Sequence, residues 1–281
     1  HALQDARISM ERLNDIHAQE DEEYDICNKL SLLPENGTIT VRDLTYSYSG
    51  AERDYAIKNL SLDIPEGKVT AIVGESGSGK TTLIKLLQGF YKPNSGTIKV
   101  GGISLDCINP HLWRKSTGSV MQESYIFSDT IAKNIALSTD EVDVKRLYDS
   151  ALLANADEFI SALPLGYNTR IGMEGSGVSQ GQRQRLLIAR AIYKNPKYLF
   201  FDEATNSLDA TNERIIMENL QKIFQNRTVV ISAHRLSTVM NADNIVVMKK
   251  GEIVEQGTHS ELVALRGHYY TLVKNQLELG K

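Results

Sequence analysis

Gly74-Glu75-Ser76-Gly77-Ser78-Gly79-Lys80-Thr81 fits the pattern G-x-x-x-x-G-K-[ST] and stands between two segments of different periodicity. Before it, Lys68-Val69-Thr70-Ala71-Ile72-Val73 is a nearly continuous apolar run, as expected of a strand buried on both faces of a parallel sheet. After it, Leu83, Ile84, Leu86 and Leu87 mark a buried helix over Thr81 to Gly89. Strand, glycine turn and helix together make an anion site. The glycines let backbone N–H groups approach phosphate oxygens, and the helix N-terminus adds partial positive charge. In this pattern Lys80 reaches the β- and γ-phosphates of a nucleotide and the Thr81 hydroxyl ligates Mg²⁺.

Upstream, Thr38-Ile39-Thr40-Val41 and Leu44-Thr45-Tyr46-Ser47-Tyr48 are β-rich, Leu60 to Ile64 alternates, and Pro65-Glu66-Gly67 reads as a turn. Downstream, residues from about Glu123 to Gly177 are helical in pattern, with Val144-Leu147-Ala151 and Ala156-Phe159-Ile160-Leu163 on apolar faces. Buried strands then return at Tyr198 to Phe201, Val229 to Ile231 and Ile245 to Met248. Lys250-Gly251 reads as a hairpin turn, and Thr258-His259-Ser260-Glu261 has capping-box spacing for a late helix. The first 36 residues differ from the rest. Leu3, Ala6, Met10, Leu13 and Ile16 predict a short amphipathic helix, and the acidic run Gln19 to Asp25 a solvated linker.

Tyr198-Leu199-Phe200-Phe201-Asp202-Glu203 is a buried strand ending in two acids. Beside a phosphate loop, the first acid, Asp202, is placed to hold Mg²⁺ through water. The second, Glu203, is placed to polarise an attacking water.

At Val178-Ser179-Gln180-Gly181-Gln182-Arg183-Gln184-Arg185 the chain resembles the ABC transporter ATPases, whose signature L-S-G-G-Q precedes a basic, glutamine-rich helix. Val178 stands for the leucine and Gln180 for the first glycine, while Ser179, Gly181 and Gln182 are retained. Ser179 and Gln182 also fit a capping box, and both readings hold together, since a capped helix start is a good phosphate site. The resemblance implies an α/β fold: a P-loop NTPase (RecA-like) core with an antiparallel β subdomain and an inserted α-helical subdomain at about 123–178. It also implies an ATPase domain over 37–281, with residues 1–36 a linker from a preceding transmembrane helix.

The resemblance further implies ATP and Mg²⁺ as ligands and assigns residues to them. The nucleotide would lie on Gly74, Glu75, Ser76, Gly77, Ser78, Gly79, Lys80, Thr81 and Thr82, with Tyr48 stacked on adenine; a plain core role is the alternative for Tyr48. Tyr46 is expected to point to the opposite face. Metal contacts fall to Thr81, Asp202 and Gln122, the last resembling the Q-loop glutamine that links to a membrane domain. Catalytic roles fall to Glu203, His234, Lys80 and Gln122, with His234 matching the switch histidine. Ser179, Gly181, Gln182 and Asp209, the last in the D-loop-like Ser207-Leu208-Asp209, would meet ATP held by a second copy. The partners implied are thus that copy, in a homodimer, and a transmembrane domain of the same polypeptide, which alone contacts the exported substrate. Glu174 is similar to the exporters' acidic X-loop, shifted by one residue. The exporter branch is indicated by Asn206, by Ser232-Ala233-His234-Arg235-Leu236-Ser237-Thr238 and by Gly251 to Thr258. Within that branch the chain is similar to peptidase-containing bacteriocin and peptide exporters, and the cytoplasmic face of a membrane is its expected location.

Bulk properties narrow the alternatives. The 281 residues carry a net charge of −4, which argues against a partner nucleic acid held by a basic face. Two cysteines, Cys27 and Cys107, are too few for a disulfide framework and read as free thiols. No stretch reaches the roughly 18 apolar residues of a membrane span, so the chain is expected to be soluble. An ATP-gated clamp or translation factor of the same superfamily is the alternative; the long heptad region or second ATPase domain of those proteins is absent from the sequence. A P-loop kinase or GTPase would have no use for the Ser179 segment.

Overall fold

The computed structural model describes residues 2–18, 29–49, 54–137, 141–172, 177–232 and 239–279. Apolar runs become central strands and alternating runs become a second sheet. Five parallel strands form the main sheet: β3 (Val69–Gly74), β6 (Thr117–Val120), β7 (Tyr198–Asp202), β8 (Thr228–Ser232) and β9 (Asn244–Lys249). With the antiparallel edge strand β10 (Glu252–Gly257), their order is β10-β9-β3-β8-β7-β6. A second, antiparallel sheet takes the order β2-β1-β4-β5, from β1 (Ile39–Tyr46), β2 (Ile57–Ile64), β4 (Ser95–Val100) and β5 (Ile103–Ser104).

Side chains of the main sheet alternate between two cores, as a strand period of two requires. Ile72, Phe200, Val230 and Val246 pack with the antiparallel sheet, with α2 (Lys80–Leu87), whose Leu83, Ile84, Leu86 and Leu87 are buried, and with Trp113 of α3 (Pro110–Ser116). Ala71, Val73, Leu199, Phe201, Val229 and Ile231 face the other way. They pack against a helical layer that includes α4 (Ile131–Ala136), α5 (Val144–Leu153), α6 (Asp157–Ser161), α7 (Gln180–Tyr193) and α8 (Ala210–Phe224). Between β6 and β7 every long element is helical.

Two local features depart from the pattern expected of the sequence. The two β-rich stretches before Tyr48 form one strand, β1, bent where Asp43 takes φ 50° and the register to β2 shifts between Val41 and Leu44. Strands β4 and β6 carry no strong apolar run, yet β6 pairs in parallel with β7 from Thr117↔Tyr198 to Val120↔Phe201. The N-terminal helix expected of the sequence forms as α1 (Ala2–His17), with Ile8, Met10 and Leu13 exposed. Among the described residues no helix is long and apolar enough to cross a membrane.

Candidate functional site: a phosphate loop at the carboxyl edge of a parallel sheet

Strands β3, β8, β7 and β6 are neighbours and parallel, so the loops leaving their carboxyl ends share one edge of the sheet. In open α/β sheets that edge is where ligands bind. The loop after β3 is the glycine-rich turn; Asp202 ends β7, Glu203 comes next, and Gln122 follows β6. Thr81 and Asp202 stand 121 residues apart in the sequence, and the topology brings them together. His234, expected after β8, and Glu174 lie outside the described residues.

The turn has a fixed shape. Gly77 and Gly79 take φ 77° and 102°, and a Cβ on Gly79 would stand 2.6 Å from the Ala56 carbonyl oxygen. Gly79 is the N-cap of α2 without a side-chain cap, so the first N–H groups of that helix have no capping side chain. Glu75, Ser76 and Gly77 form the exposed apex, while the hydroxyl of Ser78 is buried with no hydrogen-bond partner. Lys80 is only 4% exposed, and its ammonium donates to the carbonyl oxygens of Gly74 (2.9 Å) and Glu75 (3.0 Å). Burial lowers its pKa, opposed by the charges of Glu203 and Asp202.

Thr81 reaches across to β7, where its hydroxyl donates to Asp202 Oδ2 at 2.8 Å. Asp202 is fully buried and its other oxygen, Oδ1, has no hydrogen-bond partner. Burial pushes its carboxyl above the usual range, the nearby hydroxyls of Thr81 and Ser232 working against that. A hydroxyl and a carboxylate with a spare lone pair are hard oxygen donors of the kind Mg²⁺ takes. With the orphaned Ser78 hydroxyl, the open helix start and the buried ammonium, these residues fit a nucleoside triphosphate and its metal.

Glu203 has φ 53°, a left-handed conformation uncommon for a residue with a Cβ, which eight other non-glycine residues also take among those described. Its N–H donates to the Ser232 carbonyl oxygen at 3.0 Å, tying the end of β7 to the end of β8. The amide of Asn206 donates to Glu203 Oε2 at 2.8 Å, a contact missed in the sequence; an amide three residues past a strand-end acid in a turn is the signal that could have found it. Gln122 is exposed beside a turn closed by Met121 and Ser124.

Tyr48 is 56% exposed, and its hydroxyl lies 3.0 Å from that of the buried Thr82. The expectation that Tyr46 faces away is corrected. Residues two apart on an extended chain share a face, and the Tyr46 and Tyr48 rings meet edge to face at 5.1 Å. Tyr91 stacks on Tyr46 at 5.4 Å, completing an aromatic corner above α2.

On another face, Ser179 caps α7 with a full capping box. Its Oγ accepts from Gln182 N at 3.2 Å, and Gln182 Oε1 accepts from Ser179 N at 2.9 Å. Ser179 and Gln180 are exposed, and Gly181 packs against Ser207, so the signature-like segment adjoins the turn after Glu203. Asp209 caps α8 by accepting from Thr211 N and Asn212 N, and the Asn212 bonds hold its carboxyl below the usual range.

Parallel sheet, glycine loop and the acids of β7 define a P-loop nucleoside triphosphatase domain. The ABC transporter family matches residues 57–206, and the chain belongs to that family, whose ATP-binding domains hydrolyse ATP to drive transport. Leukotoxin translocation ATP-binding proteins of Mannheimia haemolytica and Bibersteinia trehalosi are 46% identical over 277 residues, 99% of this chain and 39% of each relative. The chain therefore spans about two fifths of the length of these relatives. A solved bacterial Atm1-family ABC exporter with ATP bound superposes with a TM-score of 0.88 at 34% identity, over 97% of this chain and 47% of that one.

Proposed function

We propose that this chain is the ATP-hydrolysing part of an ABC exporter and works as a pair. Residues 37–281 form the ATPase domain, with a helical subdomain at about 123–178, and residues 1–36 link it to a preceding transmembrane helix. The observation that carries this reading is the convergence of Lys80, Thr81, Asp202 and Glu203 on one sheet edge, while the capped Ser179 segment is exposed in the same chain. One surface cradles a triphosphate. The other, presented by a second copy head to tail, covers it.

ATP is the substrate. The helix start and Gly74–Thr82 hold its phosphates, Lys80 balances their charge, and Tyr48 takes the adenine ring face. Thr81, Gln122 and, through water, Asp202 would hold Mg²⁺, which would neutralise charge developing on the phosphate oxygens. Glu203 draws the proton from a water that attacks the γ-phosphorus. The bond to the β-phosphate oxygen breaks, leaving ADP and inorganic phosphate, and His234 contacts the γ-phosphate side. Ser179, Gly181, Gln182 and Asp209 address the nucleotide of the other copy. Triphosphate thus favours the closed pair and hydrolysis releases it, a two-state element biased by ligand.

A cavity of about 440 Å³ beside Gln122 supports a membrane-domain partner in the same polypeptide. Exposed Phe90, Tyr125, Phe127 and Leu137 line it, with Lys85 and Lys194 at hand. The exported substrate, a peptide or protein by analogy with the translocated leukotoxin of the relatives, would touch only that membrane domain. Such an arrangement puts this chain at the cytoplasmic face. The transport names of the relatives favour export over a non-transport clamp or translation factor.

Glu203→Gln tests the pairing. It should bind Mg-ATP, lose about 10²–10⁴-fold in turnover, and run as a dimer by light scattering only when ATP is present. A strictly monomeric variant at saturating Mg-ATP would remove the shared-triphosphate picture.

A further inference from the structure

We propose that Tyr91 is a positioning residue for the adenine end of the site, bracing the Tyr48 ring so that it is already set when a base stacks on it. This rests on the role given to Tyr48 above. Three ring contacts agree on the geometry. Tyr46 and Tyr91 lie 29° from parallel with centroids 5.4 Å apart, and the Tyr48 ring stands at 82° to the first and 86° to the second, at 5.1 and 5.5 Å. Edge-to-face pairs at such separations attract, because the positive edge of one ring meets the negative face of another. The Tyr48 hydroxyl lies 3.0 Å from that of Thr82, so the ring is held at its tip as well, yet the residue stays 56% exposed. A ring that is braced and still exposed is suited to stacking on a base.

The segment carrying Tyr91 is fastened at both ends. Gly89, with φ 77°, closes α2 in a Schellman turn: Phe90 N–H donates to the Lys85 carbonyl and Gly89 N–H to that of Leu86, each at 3.0 Å. Tyr91 is therefore placed by the helix whose other end is the phosphate loop. From the far side, Asn94 N–H donates to the Thr45 carbonyl at 2.9 Å, and Asn94 Oδ1 accepts from Ser47 N–H at 2.7 Å. These bonds tie the segment to the stretch of chain that carries Tyr46 and Tyr48. Tyr46 is 8% exposed and belongs to the core, whereas Tyr91 is 37% exposed. Tyr91 is thus the brace that can be removed without opening the core. Without it, Tyr48 would have to give up rotamer freedom on binding, a cost that falls on affinity for the nucleotide and not on chemistry at the γ-phosphate.

Steady-state ATP hydrolysis by Tyr91→Ala, Tyr91→Phe, Tyr48→Ala and the double variant Tyr48→Ala/Tyr91→Ala tests this, with inorganic tripolyphosphate as a competitor that has no base. Tyr91→Ala should raise the KM for ATP about 3- to 10-fold, the scale of one side chain immobilised on binding, with kcat within about twofold. The inhibition constant of tripolyphosphate should stay within about twofold of the parent's, because that ligand uses only the phosphate loop. Tyr91→Phe should match the parent, since the ring makes the contacts. In the Tyr48→Ala background, Tyr91→Ala should add less than about twofold, whereas a residue that only stabilised the fold would weaken both ligands and add its loss in either background. If alanine prevents folding, Tyr91→Leu, which keeps apolar bulk without a ring, takes its place. Parental KM in the Tyr91 variant beside a raised KM in Tyr48→Ala would overturn the proposal. A matching loss for tripolyphosphate, or an undiminished loss with Tyr48 absent, would overturn it too. Parental KM in Tyr48→Ala would instead remove Tyr48 from its role, and this proposal with it.

Discussion

The cradle around Lys80 and the cap around Ser179 differ in how their polar groups are held. In the cradle Lys80 and Asp202 are buried, turned towards the loop and strand around them, and carry shifted pKa values. Burial there leaves Asp202 Oδ1 and the Ser78 hydroxyl without partners. In the cap Ser179 and Asp209 are exposed, and each satisfies a helix N-terminus of its own chain. The cradle holds unmet polar demand inside a rigid frame, which a triphosphate and its metal would meet. The cap is complete by itself, and in the pairing proposed above it would act through a second molecule. Changes in the cradle should therefore affect binding and chemistry in a single chain, whereas changes in the cap should spare binding and affect only what needs two chains.

Lys80→Ala should give the largest effect. Removing a charge aimed at the phosphates is expected to lower kcat about 10²–10³-fold and to weaken ATP binding to the single chain as well. Equilibrium titration with a fluorescent ATP analogue, beside steady-state hydrolysis, separates the two losses. Parental hydrolysis would break the assignment of the cradle.

Ser179→Asp sharpens the contrast, because aspartate caps a helix about as well as serine. The thermal midpoint should stay near the parent's, and ATP binding to one chain within about threefold. The new carboxylate would nevertheless face the phosphates of the other copy. Like charges brought together across an interface are unfavourable by several kcal/mol, so ATP-driven pairing and hydrolysis should fall about 100-fold. Ser179→Ala should do the reverse, giving up about 1 kcal/mol of capping stability while adding no charge. If the aspartate variant hydrolyses ATP like the parent, the Ser179 face does not meet a triphosphate.

The cradle was the more legible region, and the reason is physical. A loop that must wrap phosphate needs glycines and a lysine at fixed spacing, and a strand buried on both faces needs an unbroken apolar run. Both constraints are local, so Val69–Gly74 and Tyr198–Asp202 could be read directly. Strand β6, Thr117-Gly118-Ser119-Val120, could not, because its place at the sheet edge comes from pairing with β7 and from the helices over it. The same holds for Asn206, whose meaning depends on a turn that folds its amide back onto Glu203. Tyr46 shows another limit: the strand period was available, but only the structure joined Tyr46, Tyr48 and Tyr91 in one aromatic corner.

The smallest effect expected is on stability, and it tests whether the cradle is strained without its ligand. Burial raises the Asp202 pKa, so between the unfolded value near 3.9 and the higher native value the folded chain binds the extra proton. Stability without nucleotide should then fall as pH rises through that window, and the loss is complete above it. Asp202→Asn removes the buried charge at nearly constant shape. At pH 7 its nucleotide-free midpoint should rise, by about 2–4 °C for each kcal/mol regained in a domain near this size. The gain should shrink as the parent's carboxyl becomes protonated in acid. Mg-ATP should add less to the variant's midpoint than to the parent's, because a metal ligand has gone. A variant that melts below the parent at neutral pH would mean that Thr81 and Lys80 more than offset the burial of that charge, and that the cradle is as self-sufficient as the cap.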